Sequence, residues 1–226
     1  MSSLTKPHRL VILGTPAEET TGGKISLIQA GAFTKIDVVL MSHPGPEHIL
    51  HGTWLALQEI RVTFRGQPAH ASASPWDGVN ALDAAVSAYT SISNLRQQCR
   101  PTDRVHGIIV RGGEAPNVIP SVTTMTYYIR SATSAELSTL RDRIVKCFQG
   151  AGLGTGCSVE IDMDPEFMNV VGNGVLGGVY EGEMRRMGRW MGVDLERLPR
   201  GSTGTSIMLF ALVHSLTDMV RKTWEM

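Results

Sequence analysis

Three side chains early in the chain are of the kinds that can bind a metal ion and accept a proton. Glu18 and Glu19 stand side by side in Gly14-Thr15-Pro16-Ala17-Glu18-Glu19, directly after the apolar run Leu10-Val11-Ile12-Leu13. His43 follows a second apolar run, Val38-Val39-Leu40-Met41. Carboxylate oxygen and imidazole nitrogen are good zinc ligands. Two adjacent glutamates after a sharp turn can divide the work, one binding metal while the other accepts a proton from water. Without a cation, paired carboxylates at the mouth of a buried strand are costly. The plainer alternative is that Pro16-Ala17-Glu18-Glu19 caps the helix that follows, since acids suit a first turn.

The elements that must position these groups form a βαβ unit. Residues 9–15 read as a strand buried on both faces. Gly22-Gly23 leads into a short helix over 24–30, stopped by Gly31, and residues 37–41 make a second buried strand. The Glu pair and His43 then sit at the carboxyl ends of the strands, where α/β sheets carry their functional groups. From about residue 53 the pattern changes to alternation. Residues 58–65, 105–111, 122–129 and 158–163 read as strands with one wet face, and 80–95 and 137–148 as amphipathic helices. Strand, helix, strand, strand, helix, strand is the order of a ferredoxin-like module. It is inserted between two parts of a parallel-sheet domain, to which a Gly- and Met-rich helix over 175–190 returns. The fold class expected is α/β, a partial doubly wound domain (1–52 and 164–226) with an inserted ferredoxin-like α+β domain (53–163).

Bulk properties narrow the function classes. Of 226 residues, 21 are Lys or Arg and 21 are Asp or Glu, so the net charge is zero and nothing points to a nucleic-acid partner. Cys99, Cys147 and Cys157 lack metal-type spacing and read as reduced thiols in the cytoplasm. No run approaches the length of a membrane span and none has the form of a signal peptide. No Gly-rich phosphate loop follows a strand, which weakens a nucleotide-binding reading.

Taken in order, the motifs resemble the zinc peptidase and amidohydrolase family of carboxypeptidase G, aminoacylases, auxin-conjugate amidohydrolases and Xaa-Arg dipeptidases. The likeness rests on residues 11–19, Gly22-Gly23, Gly31 and His43, then on Phe64-Arg65-Gly66-Gln67-Pro68-Ala69-His70-Ala71-Ser72 and Pro75-Trp76-Asp77-Gly78-Val79-Asn80. It continues through Gly112-Gly113-Glu114-Ala115-Pro116-Asn117-Val118-Ile119-Pro120, Tyr128-Ile129-Arg130-Ser131 and Gly201-Ser202-Thr203. The resemblance implies that Glu18 is the general base, that Glu19 and His43 are metal ligands, and that one or two zinc ions are bound. It makes His70 the group that stabilises the tetrahedral intermediate, often across a dimer interface. Asn117, Arg130, Gly201, Ser202 and Thr203 become substrate-binding residues, Arg130 gripping a carboxylate with its forked guanidinium. Read singly, His70 could be a surface residue capping the next helix, Asn117 a turn residue and Arg130 a solvated strand end.

The chain also departs from the family pattern. The upstream His and the acid or Cys that bridges two metals have no counterpart before residue 10, and the sequence after Thr203 does not follow the family. Two matching ligands, Glu19 and His43, fall short of the three usual at catalytic zinc. His214, His48, His51 or another protomer would complete the shell. The function implied is hydrolysis of amide bonds in N-acyl amino acids or dipeptides by zinc-activated water, in a homodimer joined through the ferredoxin-like lid. The alternative is a truncated, catalytically inactive member that acts as a dimerising interaction protein.

Overall fold

The computed structural model describes residues 9–17, 22–43, 48–49, 54–188 and 207–213, of which 42–43, 48–49 and 207–213 are described by backbone alone. The strands are β1 (Val38–His43), β2 (His48–Ile49), β3 (Ala56–Arg65), β4 (Arg104–Arg111), β5 (Val122–Ser131), β6 (Ser158–Met163) and β7 (Ile207–Val213). The helices are α1 (Gly23–Gln29), α2 (Ala81–Leu95), α3 (Ser134–Thr155) and α4 (Gly174–Arg186). Compactness separates Met1–Leu40 with Ala211–Met226 from Met41–Phe210.

One sheet has the order β1-β7-β2, with β7 parallel to β2. The last described strand therefore enters a sheet begun by the first two, and the long excursion between them is an insertion. The strand expected over residues 9–15 does not form. Leu10 and Ile12 are 84% and 87% exposed there. A strand buried on both faces needs a ladder partner, and no described residue supplies one.

The insertion folds as expected from its alternation. Its sheet has the order β4-β5-β3-β6, wholly antiparallel, with β3 paired to β5 from Ala56–Ser131 to Arg65–Val122. With strand order 2-3-1-4 in local numbering and two helices, this is the ferredoxin-like arrangement. Every second side chain turns toward the helices. Ile60, Val62 and Phe64 of β3 and Met125, Tyr127 and Ile129 of β5 are buried against Ala81, Ala84, Ala85, Ala88 and Ile92 of α2. Leu137, Leu140, Ile144 and Phe148 of α3 complete this core. Tyr127 meets Phe148 edge-on at 5.5 Å. Its buried hydroxyl has no partner among the described residues, and burial pushes its pKa up to about 12.

Local signals set the starts of three of the four described helices. Asn80 Oδ1 accepts the Leu82 N–H at 2.9 Å, and Thr133 Oγ1 accepts the Glu136 N–H at 3.2 Å, so each helix opens on a capping side chain. Asn173 Oδ1 does the same for α4, accepting from the N–H groups of Val175 and Leu176. α4 begins close to its expected start, and residues from 189 on, up to β7, lie outside the described ones. α3 runs past Phe148 to Thr155 although Gly150, Gly152 and Gly154 weaken a helix. Packing overrides that weakness at Gly152, where a Cβ would fall 2.1 Å from Val159 Cγ2.

The outer face of the sheet is wet. Arg61 bridges Glu59, Asp162 and Asp164 there, and its hydrogen bond holds the Asp164 carboxyl below the usual range. All four are at least partly solvated, so their contribution to stability is small. On edge strand β4, Ile108 and Val110 are 64% and 59% exposed, and the ladder shifts register between Ile109 and Arg111.

Gly107 marks the tightest spot on β4. A Cβ there would sit 2.5 Å from the Tyr127 ring and 2.6 Å from the Thr126 carbonyl oxygen. Gly107→Ala is expected to lower unfolding free energy by about 1–3 kcal/mol, the range for overpacking. Urea unfolding would check this, and an unchanged midpoint would contradict the packing described.

Candidate functional site

The turn before the Glu pair is held at its flanks. Ala17 lies in the left-handed region at φ 54°, a conformation that costs an alanine roughly 1–2 kcal/mol. Gly22, at φ 62°, donates its N–H to the Ala17 carbonyl at 3.1 Å. The Pro16 carbonyl oxygen packs where a side chain on Gly23 would be, 1.9 Å from the ideal Cβ position. The sequence Pro-Ala-Glu-Glu-x-x-Gly-Gly is thus tied across its base, and local strain of this kind clusters at functional sites. Glu18 and Glu19 themselves lie outside the described residues, as do His51, Gly201, Ser202, Thr203 and His214. His43 ends β1, and His48 begins β2, both described by backbone alone. Among the described residues, no group of three or more His, Cys, Asp or Glu could hold a metal ion.

His70 and Asn117 are brought together by main-chain pairing. Beyond Arg65 the chain keeps running antiparallel to the segment before Val122. The Gly66 N–H donates to Ser121 O at 2.8 Å, that of Ile119 to Ala69 O at 2.9 Å, and that of Ala71 to Asn117 O at 3.0 Å. His70 is bridged to Val118 in this way. Its side chain does not cap α2, a task left to Asn80. It turns back on its own loop, where Nδ1 accepts the N–H groups of Ser72 and Ala73, both at 3.3 Å, and lies 3.2 Å from Ser72 Oγ. With Nδ1 an acceptor, the neutral ring carries its proton on Nε2 and presents a hydrogen-bond donor. His70 and Asn117 are both exposed.

Arg130 stands at the other end of the sheet. It pairs with Leu57 on one side and Arg104 on the other, eight residues along β5 from Val122. At ~3.4 Å per residue that is roughly 27 Å, and His70 lies further still. Its Nε is buried without a partner, and it makes no ion pair among the described residues.

Next to it on the same outer face is a histidine that no sequence motif marks. His106 of β4 lies opposite Tyr128 of β5, with ring centroids 6.0 Å apart. Burial, then the charges of Arg130 and Arg96, hold the His106 pKa below the ordinary imidazole value. The alternation Arg104-Val105-His106-Gly107 puts His106 on the wet face, the one signal in the sequence that could have found it.

Residues 57–154 match the family described as peptidase dimerisation domain. The chain belongs to the M20 family of peptidases and amidohydrolases. It is 47% identical to mouse Xaa-Arg dipeptidase over 183 residues, 80% of this chain and 42% of that protein. It is 27% identical to the indole-3-acetyl-aspartic acid hydrolase of Enterobacter agglomerans over 202 residues, 86% of this chain and 46% of the relative. The chain therefore spans under half the length of these relatives. The crystal structure of an aminobenzoyl-glutamate utilization protein from Klebsiella pneumoniae shares the fold, with a TM-score of 0.64 at 20% identity, covering 80% of this chain and 51% of that one.

The hydrogen bonds at His70 fix an observable. Its imidazole ¹⁵N shifts at neutral pH are expected to show the Nε2–H tautomer. A dominant Nδ1–H form would contradict the loop geometry.

Proposed function

We propose that this chain is part of a metal-dependent hydrolase of amide bonds in N-acyl amino acids or dipeptides. The observation that carries this reading is the His70 loop, a ring donor fixed by main-chain hydrogen bonds beside Asn117, in a chain with this family membership. Glu18 takes a proton from the attacking water. His70 donates from Nε2 to the oxyanion as the carbonyl carbon becomes tetrahedral, a contact that strengthens toward the transition state. Asn117 hydrogen-bonds the substrate, Arg130 holds its carboxylate, and Gly201-Ser202-Thr203 line the site.

Glu19 and His43 would hold the metal. Oxygen and nitrogen donors of this kind suit zinc. When bound, zinc polarises the scissile carbonyl and lowers the pKa of water. His48, His51, His214 or a second protomer are the candidates for the remaining ligand.

The separation of His70 from Arg130 supports a homodimer. Groups more than roughly 25 Å apart along one sheet cannot both touch one small amide. Two protomers can bring one end of each sheet to a shared substrate, and the exposed apolar edge of β4 is the surface we assign to their contact. Three free cysteines fit a reducing compartment, and we assign the cytoplasm. Among the described residues, no helix is long and apolar enough to cross a membrane.

The test pairs metal analysis with turnover on a panel of dipeptides and N-acyl amino acids. Glu18→Gln is expected to keep its zinc and lose about 10²–10⁴ in kcat, the worth of a general base. Glu19→Ala is expected to lose zinc and activity together. Turnover that survives both Glu18→Gln and a chelator would overturn the reading.

A further inference from the structure

The outer corner of the sheet around Arg130 has the residues of an anion site. Across the sheet, Leu57, Arg130 and Arg104 form one row, and Glu59, Tyr128 and His106 form the next. Diagonal neighbours on a sheet lie about 7–8 Å apart, within reach of long side chains, so His106 and Arg130 can address one small group together. The acids at neighbouring positions are already engaged. Glu59 accepts from Arg61 at 3.0 Å and hydrogen-bonds Tyr128. Asp103 accepts the Ser131 hydroxyl at 2.8 Å and the Arg100 N–H at 2.9 Å. Arg104 spends its NH1 on the carbonyls of Pro101 and Asp103. Arg130 is left with a buried Nε and no counter-ion among the described residues.

We propose that His106 is a specificity-determining residue that joins Arg130 in holding one carboxylate, with the Tyr128 ring as the wall of the subsite. The proposal rests on the assignment of Arg130 to the substrate carboxylate. It adds a second, titratable donor that makes affinity depend on pH. The groups facing His106 are Arg130 and Tyr128 on β5, Arg104 on its own strand, Glu59 beyond Tyr128, and Arg96 after α2. The cations among them disfavour a second charge on the empty site. A bound carboxylate offsets that repulsion and draws a proton onto His106. By linkage, the anion then binds more tightly as pH falls through the imidazole range.

The test uses hippurate, an N-acyl amino acid with a single carboxylate, and reads binding to the full chain by calorimetry without turnover. Measured at about pH 5.5 and about pH 8, on either side of the imidazole range, the probe stays ionised because α-carboxyl groups titrate near 3.5. Affinity is expected to be about fivefold tighter at the lower pH, the difference between a charged and a neutral donor. His106→Gln, which keeps a neutral donor and cannot gain a charge, is expected to remove that difference. In the wild type, the His106 ring resonance is expected to titrate at higher pH when hippurate is present.

Hippurate binding that is absent, that does not vary with pH, or that keeps its pH dependence in His106→Gln would overturn the inference. The hydrolase reading fails separately. A chain that binds hippurate in this pH-dependent way yet cleaves no amide would retain the subsite and lose the proposed reaction.

Discussion

β3 is paired on both flanks, with β5 from Ala56 to Arg65 and with β6 from Ile60 to Arg65, while its inward side chains are buried under two helices. Burying Ile60, Val62 and Phe64 is worth about 1.5–3 kcal/mol each, enough to make this strand hard to displace. Its pairing with β5 then decides where the chemistry-bearing residues stand. The chain leaving β3 at Arg65 and the chain entering β5 at Val122 stay paired out to His70 and Asn117. The same ladder, followed the other way, carries Arg130 to the opposite end. A structural core thus sets both the closeness of one pair and the remoteness of the third residue.

Charge on the outer face follows the same strands. Toward β6, Arg61 gathers three carboxylates and is neutralised by them. Toward β4, Arg130 has only Arg104 and Leu57 across from it, and His106 and Tyr128 beside them. One face of one sheet therefore holds a saturated cation and an unsaturated one. The difference arises because Asp162 and Asp164 stand beside Arg61, whereas the same segment, further on, sets the uncharged Phe167 against Leu57 in the row of Arg130.

Alternation makes the inserted domain legible. The strand at 158–163 and the start of α2 after Asn80 fall where the pattern puts them, because inward apolar spacing and a capping side chain determine both. Legibility fades wherever distant packing decides. α3 passes Gly150 because Gly152 nests against Val159 on β6, a contact with no local sequence signal. The run Leu10-Val11-Ile12-Leu13 reads as a buried strand because apolar residues without a period fit that environment, yet burial depends on neighbours that the run itself does not encode. For the site, the family resemblance selects His70, Asn117 and Arg130, and pairing brings the first two together. It does not select His106, since a histidine in an alternating strand resembles any other wet-face residue until Arg130 is seen beside it.

The register shift between Ile109 and Arg111 bears on what this chain must avoid as well as on what it does. An exposed edge strand offers its unpaired main chain to any extended polypeptide, including half-folded chains of its own kind. A bulge bends and twists the strand, and Arg104 and Arg111 place a charge at each end of its apolar middle. Such features act as gatekeepers: a partner must match a bent, charge-bounded edge before it can extend the sheet. Selectivity against aggregation would then be written into the same eight residues that offer themselves for pairing.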